Sequence, residues 1–251
     1  MERQYMKKKV IAIHASSRKK NTYHLLENLK EELAAYDIDV EILCLSELDI
    51  GRCVGCEACL RSGTCHLKDD VDAVMRRIPE YDGIILSSPV YMNNVSGMLK
   101  TFLDRTCRWV HRPELTGIPV LFVASTAGSG LRHTLNYLED AALQWGAIPA
   151  GKIGRSAGSR AKRLEKKEYI RFVEYLNMDM HRYKPGMKEL ITFEIKKILA
   201  EKVLTRDKEY WVEKQWLNKH YYFEASIDPV KKAAASFFYR FLSGKIKSVE
   251  E

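Results

Sequence analysis

Residues 10–29 read "VIAIHASSRKKNTYHLLENL", and this stretch decides the fold that the sequence predicts. The apolar run at 10–13 is typical of a buried strand, and the polar segment "HASSRKKN" that follows is typical of a loop. Leucines then recur at helical spacing from Leu25 to Leu33, which predicts an amphipathic helix. A buried strand, a polar loop and a helix in this order form the repeating unit of an α/β fold.

The same alternation of apolar runs and helical periodicity continues to about residue 154. Because the apolar runs are nearly continuous, we expect parallel strands that are covered by helices on both faces. Five such strands predict a doubly wound parallel sheet of flavodoxin-like type, which binds its ligand at the carboxyl ends of the strands. The predicted strands are 10–13, 39–45, 83–91, 118–126 and 147–154, and the predicted helices between them are 22–36, 69–81, 95–110 and 130–146.

Beyond about residue 157 the pattern is helical and shows no further strand. We therefore divide the chain into a flavodoxin-like domain at 1–157, which includes a cysteine-rich loop at 53–65, and a C-terminal helical extension at 158–251. We expect this extension to pack on the sheet domain or on another subunit. Its predicted helices are 186–204, 208–222 and 228–246.

Charge and the N-terminal residues bear on partners and on the cellular compartment. The net charge is +8, and residues 151–251 carry 23 Lys and Arg against 14 Asp and Glu. A solvated helical face explains this excess better than an anionic partner does, and no nucleic acid is expected. The N-terminal residues lack the pattern of a signal peptide, so we expect a cytoplasmic protein with reduced thiols.

Three loops at the carboxyl ends of predicted strands carry residues suited to a cofactor. The loop after the first strand joins hydroxyl groups and a guanidinium to a helix N-terminus, a combination that suits a phosphate. The loop after the third strand suits the edge of a planar heterocycle, and the glycine-rich loop after the fourth strand allows close approach of the backbone. Each loop taken alone also fits an ordinary turn. The candidates are Ser16, Arg18, Asn21 and Thr22 in the first loop, Pro89, Val90, Tyr91, Asn93 and Val95 in the second, and Ser125, Ala127, Gly128 and Gly130 in the third.

With these loops, the sequence resembles the flavodoxin-like NAD(P)H-dependent FMN reductases over roughly residues 8–155. In that family the first loop reads G-S-x-R followed by N-T and holds the FMN phosphate, and here Ala15 stands in place of the glycine. The family's S-P-V-Y segment, which flanks the isoalloxazine ring, matches at 88–91, and its small third loop matches at 125–130. The resemblance implies FMN as the cofactor and NAD(P)H as the co-substrate.

The segment "CVGCEACLRSGTC" at 53–65 holds four of the six cysteines. Its spacing, C-x2-C-x2-C-x5-C, approaches that of ferredoxin ligands and differs from the two C-x2-C pairs of structural zinc, while a reducing compartment disfavours disulfides. The segment resembles the cysteine motif of the iron-sulfur flavoproteins, which implies a [4Fe-4S] cluster. A clusterless loop of thiols beside the flavin remains the alternative. The implied ligands are Cys53, Cys56, Cys59 and Cys65, whereas Cys44 and Cys107 are expected to be core or bystander residues.

The residues and the resemblance together predict an FMN-dependent NAD(P)H oxidoreductase in which the flavin carries the chemistry and no side chain is a dedicated acid or base. Electrons would pass to an acceptor directly or through the cluster. The alternatives are a non-enzymatic flavodoxin-type electron carrier and a clusterless flavin or quinone reductase. The resemblance also implies a homodimer or homotetramer. Docking of the last helix on its own domain or on a second subunit is favoured over contact with a membrane surface.

Overall fold

The computed structural model describes residues 7–247 and contains one sheet of five parallel strands. The strand order is β2-β1-β3-β4-β5, so the winding reverses between β1 and β3. This order confirms the predicted doubly wound, flavodoxin-like α/β fold and places the expected ligand crevice at the carboxyl ends of β1 and β3. The strands are β1 Lys8–His14, β2 Ile38–Cys44, β3 Gly83–Pro89, β4 Pro119–Ser125 and β5 Ile148–Arg155.

Helices cover both faces of the sheet, which explains the continuous apolar runs of its strands. In β1, Ile11 and Ile13 pack into a cluster on one face, and Val10 and Ala12 pack into a second cluster on the other. Both faces of this strand are therefore buried and inaccessible to solvent. The helices are α1 Asn21–Ala34, α2 Ala58–Arg61, α3 Val71–Arg77, α4 Gly97–Arg105, α5 Cys107–His111, α6 Leu131–Gln144, α7 Lys166–Leu176, α8 Met187–Lys202, α9 Thr205–Glu213 and α10 Pro229–Ser243.

The single helix predicted at 95–110 is divided into α4 and α5 at Thr106. The Thr106 hydroxyl donates to the carbonyl of Leu103 at 2.7 Å and accepts from Nε1 of Trp145 at 2.9 Å. These two bonds hold the backbone of Thr106 at ψ 14°, outside the α-helical range.

The helix predicted at 208–222 has other bounds in the structure. The observed helix, α9, begins three residues earlier, at Thr205, and already ends at Glu213. Gln215 adopts a left-handed conformation with φ 57°, which ends the helix. The aromatic residues that follow are buried in the core of the extension rather than arranged along a helix face; they are Trp216, Tyr221 and Tyr222.

The described part of the helical extension packs in two ways. Helix α7 lies on the sheet, where Phe172 is fully buried in the same cluster as β1 and α1. Helices α8 to α10 enclose a third apolar cluster around Phe193 and Trp211, and Ile148 of β5 joins that cluster. The domain division at residue 157 stays a prediction, and residues 1–6 and 248–251 of the two ranges lie outside the described residues. Within 7–247, no helix has both the length and the apolar character needed to cross a bilayer.

Glu194 on α8 makes the stability of the extension depend on pH. Its side chain is 3% exposed, lies 3.8 Å from Nδ1 of His220, and has its pKa raised to about 7 by burial. The unfolded chain loses this proton near pH 4.3, so the free energy of unfolding falls as the pH rises from about 4 to 7. Glu194→Gln cannot ionise and should be more stable than the wild type by about 3 kcal/mol at pH 8, with the gain falling by more than half at pH 5.

Urea unfolding at both pH values measures this difference. Glu224→Gln is the control, because Glu224 is an exposed carboxylate of the same extension and its replacement should give no pH-dependent gain. An equal gain for Glu194→Gln at pH 5 and pH 8 would contradict the assignment of the titration to Glu194.

Candidate functional site

The loops that follow β1, β3 and β4 are joined to one another by hydrogen bonds. The amide of Val90 donates to the carbonyl of Ser125 at 2.8 Å, and the hydroxyl groups of Thr22 and Ser125 lie 2.6 Å apart. The hydroxyl of Ser96 donates to the carbonyl of Ala15 at 2.7 Å. The three loops predicted to meet therefore form one connected rim at the carboxyl edge of the sheet.

A cleft of about 150 Å³ opens between these loops. It contains nine of the thirteen residues predicted to bind a cofactor, and also Lys20 and Thr126, which the sequence did not single out. Lys20 directly precedes α1, so it could have been recognised as a second cation at the helix N-terminus. The lining residues are Ser16, Arg18, Lys20, Asn21, Thr22, Pro89, Val90, Tyr91, Ser125, Thr126 and Ala127.

One end of the cleft is suited to an anion. Helix α1 begins at Asn21, and the side chain of the preceding Lys20 forms no capping hydrogen bond with it. The first turn of α1 therefore offers backbone N–H groups at the positive end of a fourteen-residue helix. Arg18 and Lys20 add two cations beside that helix end. A phosphate group matches this combination of N–H donors and positive charge.

Tyr91, which lines the cleft, begins a tight turn at 91–94. Tyr91 and Asn94 exchange two backbone hydrogen bonds of 2.8 and 3.0 Å, and Met92 and Asn93 take positive φ values of 45° and 65°. Nη2 of Arg18 donates to the hydroxyl of Tyr91 at 3.2 Å and lowers the pKa of Tyr91. The anion end and the aromatic wall are thus linked across the cleft.

Four predicted residues do not line the cleft; they are Asn93, Val95, Gly128 and Gly130. Val95 is buried in the apolar core, and its amide already donates to Oδ1 of Asn94 at 2.7 Å. Gly130 has φ 86° and lies so close to Asn93 that a Cβ atom would stand 2.9 Å from its Cα atom. Asn93 and Gly130 therefore shape the rim by packing the second loop against the third. The part that each predicted residue takes in cofactor binding stays a prediction.

The cysteine loop at 53–65 is on the surface, and three of its thiols face different partners. Sγ of Cys56 lies 3.3 Å from Nδ1 of His66, and Sγ of Cys65 accepts from Nη2 of Arg105 at 3.4 Å. Hydrogen bonding with Cys107 lowers the pKa of Cys59 to about 6. Cys107, expected to be a bystander, therefore contacts the loop.

Three arginines, in α4, in α5 and directly after α5, fasten this loop and the residue Gly51 before it to the sheet domain. Nη1 of Arg105 donates to the carbonyl of Gly51 at 2.8 Å, and Nη1 of Arg108 donates to the carbonyl of Gly63 at 2.7 Å. Nη2 of Arg112 donates to the carbonyl of Leu60 at 2.5 Å. None of the sequence motifs pointed to these arginines, although their spacing of three and four residues is helical.

The residue types of the cysteine loop suit an iron-sulfur cluster, whereas the positions of the side chains do not. Four free cysteines on one loop supply the thiolates that an iron-sulfur cluster requires. Between residues 7 and 247, however, no three Cys, His, Asp or Glu side chains are gathered so that they could hold a metal ion. As they stand, these side chains do not fit a cluster, and the predicted ligand set remains a prediction from the sequence.

Comparison with known proteins identifies relatives of this chain. Residues 8–160 match the family model described as NADPH-dependent FMN reductase. The chain is 36% identical over 145 residues to an iron-sulfur flavoprotein of Archaeoglobus fulgidus, covering 57% of this chain and 66% of that protein. It is 39% identical over 99 residues to an iron-sulfur flavoprotein of Methanocaldococcus jannaschii, covering 39% and 51%. The chain thus spans between half and just under two thirds of these curated relatives.

Solved structures share the fold. RosB with a bound 8-demethyl-8-formylriboflavin-5'-phosphate intermediate superposes with a TM-score of 0.56 at 12% identity, over 97% of this chain and 90% of that chain. A flavone reductase superposes with a TM-score of 0.50 at 15% identity, over 67% and 60%. The coverage of RosB extends through the helical extension, so the sheet and its C-terminal helices recur together in a solved fold.

Proposed function

The chain belongs to the NADPH-dependent FMN reductase family, and we propose that it is an FMN-dependent oxidoreductase that takes a hydride from NAD(P)H and passes the electrons to an acceptor. The observation that carries the proposal is the cleft at the carboxyl edge of the sheet. It joins a helix N-terminus and two cations, Arg18 and Lys20, to a wall formed by Pro89, Val90 and Tyr91. An anionic phosphate and a planar ring are the two parts of FMN that these surfaces would receive.

The residues of the cleft fit FMN by their chemistry. Arg18, Lys20 and the first N–H groups of α1 would hold the phosphate, and the hydroxyl groups of Ser16 and Thr22 would add hydrogen bonds. When bound, FMN supplies a ring that accepts a hydride and releases electrons. The chain would orient that ring through the turn at 91–94 and exclude water with its apolar wall. We propose no side chain as a dedicated acid or base, because the cofactor would carry the chemistry.

Anaerobic reduction of the FMN-loaded protein tests this proposal. The proposal predicts that NADPH or NADH bleaches the visible absorbance of the bound flavin and that an added acceptor restores it. Failure to bind FMN would contradict the proposal as a whole. Reduction by light but by neither nicotinamide would contradict the enzymatic part and favour the electron carrier. Turnover with quinone or free flavin, without iron in the protein, would identify a clusterless reductase.

Arg18→Ala should weaken FMN binding about thirtyfold, or by about 2 kcal/mol, because a charged hydrogen bond to the phosphate is lost. Its effect on riboflavin, which lacks the phosphate, should be small. Titration of flavin fluorescence with both ligands measures the two affinities. Lys19→Ala is the matched control, because Lys19 is adjacent in sequence, does not line the cleft and pairs with Glu47 at 2.9 Å.

A different result would assign another role to Arg18. Equal losses for FMN and riboflavin would mean that Arg18 acts through its hydrogen bond to Tyr91 rather than through the phosphate. Equal losses in Arg18→Ala and Lys19→Ala would mean that only the overall positive charge near the cleft matters.

A second, more specific part of the proposal is that the protein also binds an iron-sulfur cluster. It is supported by the names of the curated relatives and by the four cysteines at 53–65, while the described side chains do not gather around one point. We derive no electron transfer step through it. Iron and acid-labile sulfide in anaerobically purified protein decide the question: equal, stoichiometric amounts of both would support the cluster, and their absence beside bound FMN would contradict it.

A further inference from the structure

Helix α10 lies on the surface of the extension and is fixed to α8 along one side. Ala235 is buried in the third apolar cluster, and the hydroxyl of Tyr239 donates to Oε2 of Glu201 at 2.6 Å. Nζ of Lys202 donates to the backbone carbonyls of Ser243 and Ile246 at the other end of the helix. These contacts fix which side of α10 faces outward.

The outward side of α10 carries an apolar stripe. Val230, Phe237 and Phe241 are 76%, 72% and 56% exposed, and Ala234 between them is also exposed. Their spacing of four, three and four residues places all four side chains along one line of the helix. Oδ1 of Asp228 accepts from the amides of residues 230 and 231, which stabilises the first turn. The stripe is therefore presented by a helix that is already formed.

The charge of α10 and of the residues that follow it has one sign. Residues 229–247 contain five Lys or Arg residues and no Asp or Glu. Nζ of Lys245 lies 4.1 Å from the centre of the Phe241 ring, so a cation directly borders the stripe. An apolar stripe bordered by cations is the pattern of a helix that lies in the plane of an anionic interface.

We propose that the outer face of α10 docks on an anionic lipid surface, with Phe237 and Phe241 entering the interfacial layer and Lys245 beside Phe241 facing the headgroups. The sequence pattern favours docking of this helix on its own domain or on a second subunit. Its inner side does dock on its own chain, but for the exposed side the charge favours a lipid surface over a second copy of the chain. A two-fold contact between two α10 helices would place the same five cations on each side of the interface, where they repel. Anionic headgroups instead attract every one of them.

Flotation with lipid vesicles tests the proposal on the full chain. Vesicles of phosphatidylglycerol and phosphatidylcholine in equal parts should bind the protein, and vesicles of phosphatidylcholine alone should not. Lys231→Gln/Lys245→Gln should weaken binding about thirtyfold. Phe237→Ser/Phe241→Ser should weaken it at least about tenfold. Added salt should weaken binding of the wild type.

Matched controls separate the stripe from general surface properties. Val212→Ser removes an exposed apolar side chain from α9, and Lys30→Gln/Lys208→Gln removes two exposed cations elsewhere; both should bind vesicles as the wild type does. All variants should keep their helical circular dichroism and their FMN content, because none of the substituted residues lines the cleft.

Two outcomes would overturn the proposal. One is a wild-type protein that binds neither kind of vesicle. The other is a multimer that Phe237→Ser/Phe241→Ser dissociates in light scattering while vesicle binding is absent, which would assign the stripe to a second copy of the chain. Neither outcome depends on whether NAD(P)H reduces the flavin, so this proposal and the proposed oxidoreductase function fail independently.

Discussion

Asp207→Asn should lower the free energy of unfolding by about 3 to 5 kcal/mol, because it leaves a buried guanidinium without its counterion. The side chain of Asp207 is 1% exposed and that of Arg112 is 6% exposed. Oδ1 of Asp207 accepts from Nε of Arg112 at 2.8 Å, and Oδ2 accepts from Nδ1 of His111 at 2.8 Å. An amide in place of the carboxylate keeps the volume and removes the charge. Urea unfolding at neutral pH measures the loss.

The effect should extend to the cysteine loop. Nη2 of Arg112 also donates to the carbonyls of Leu60 and Cys59, so the guanidinium joins α9 of the extension to the loop. With Asp207 neutralised, we expect faster hydrogen exchange in residues 58–62 under native conditions. Hydrogen exchange read by mass spectrometry resolves this segment and separates a local loosening from global unfolding.

Glu209→Gln is the control for this prediction, because Glu209 is an exposed carboxylate on the same helix. It should change the free energy of unfolding by less than about 0.5 kcal/mol. If Asp207→Asn and Glu209→Gln unfolded at the same urea concentration, the buried pair would contribute no net stability, and the proposed link between the extension and the loop would be wrong.

The sheet could be predicted because its signals are local. The run at 10–13 is the centre of β1, whose observed bounds are Lys8–His14, and the structure adds only the polar residues at its ends. The parallel order then brings the loops after β1, β3 and β4 to one edge, whatever their sequences. The location of the candidate site therefore followed from the fold. Its detailed lining followed only in part: the position of Lys20 directly before α1 was a usable signal, but the residue type alone was not, since a loop lysine also fits a solvated residue.

The contacts of the cysteine loop could not be predicted, because they depend on distant partners. Arg105 falls within the helix predicted at 95–110 with no sequence signal of burial, yet it forms a buried ion pair with Asp69 and donates to the carbonyl of Gly51. Asp207 likewise has no local sequence signal of burial, and its partners precede it by about ninety-five residues. Tertiary packing overrides local propensity at such positions. The prediction of an iron-sulfur cluster depends on the same loop. In the structure, three of its thiols contact residues outside the cysteine motif.

Gly130→Ala should remove about 3 kcal/mol of stability and weaken FMN binding at least about tenfold, because two penalties add at one backbone position. Gly130 has φ 86°, a left-handed conformation that costs a residue with a Cβ atom about 1 to 2 kcal/mol. The added Cβ would also stand 2.9 Å from Cα of Asn93 and 2.9 Å from Cγ1 of Val90. The backbone of Asn93 cannot rotate away from the new methyl group as the end of a flexible side chain could. The turn at 91–94 would therefore have to move.

That movement would reach the proposed FMN site through the second loop. Val90 and Tyr91 line the cleft, and Val90 is itself in contact with the added methyl group. Urea unfolding and FMN titration measure the two effects. Gly158→Ala is the control, because a Cβ there meets no atom within 4 Å and its φ is not positive. If Gly130→Ala bound FMN as tightly as Gly158→Ala does, the close contact between the second and third loops would not shape the site.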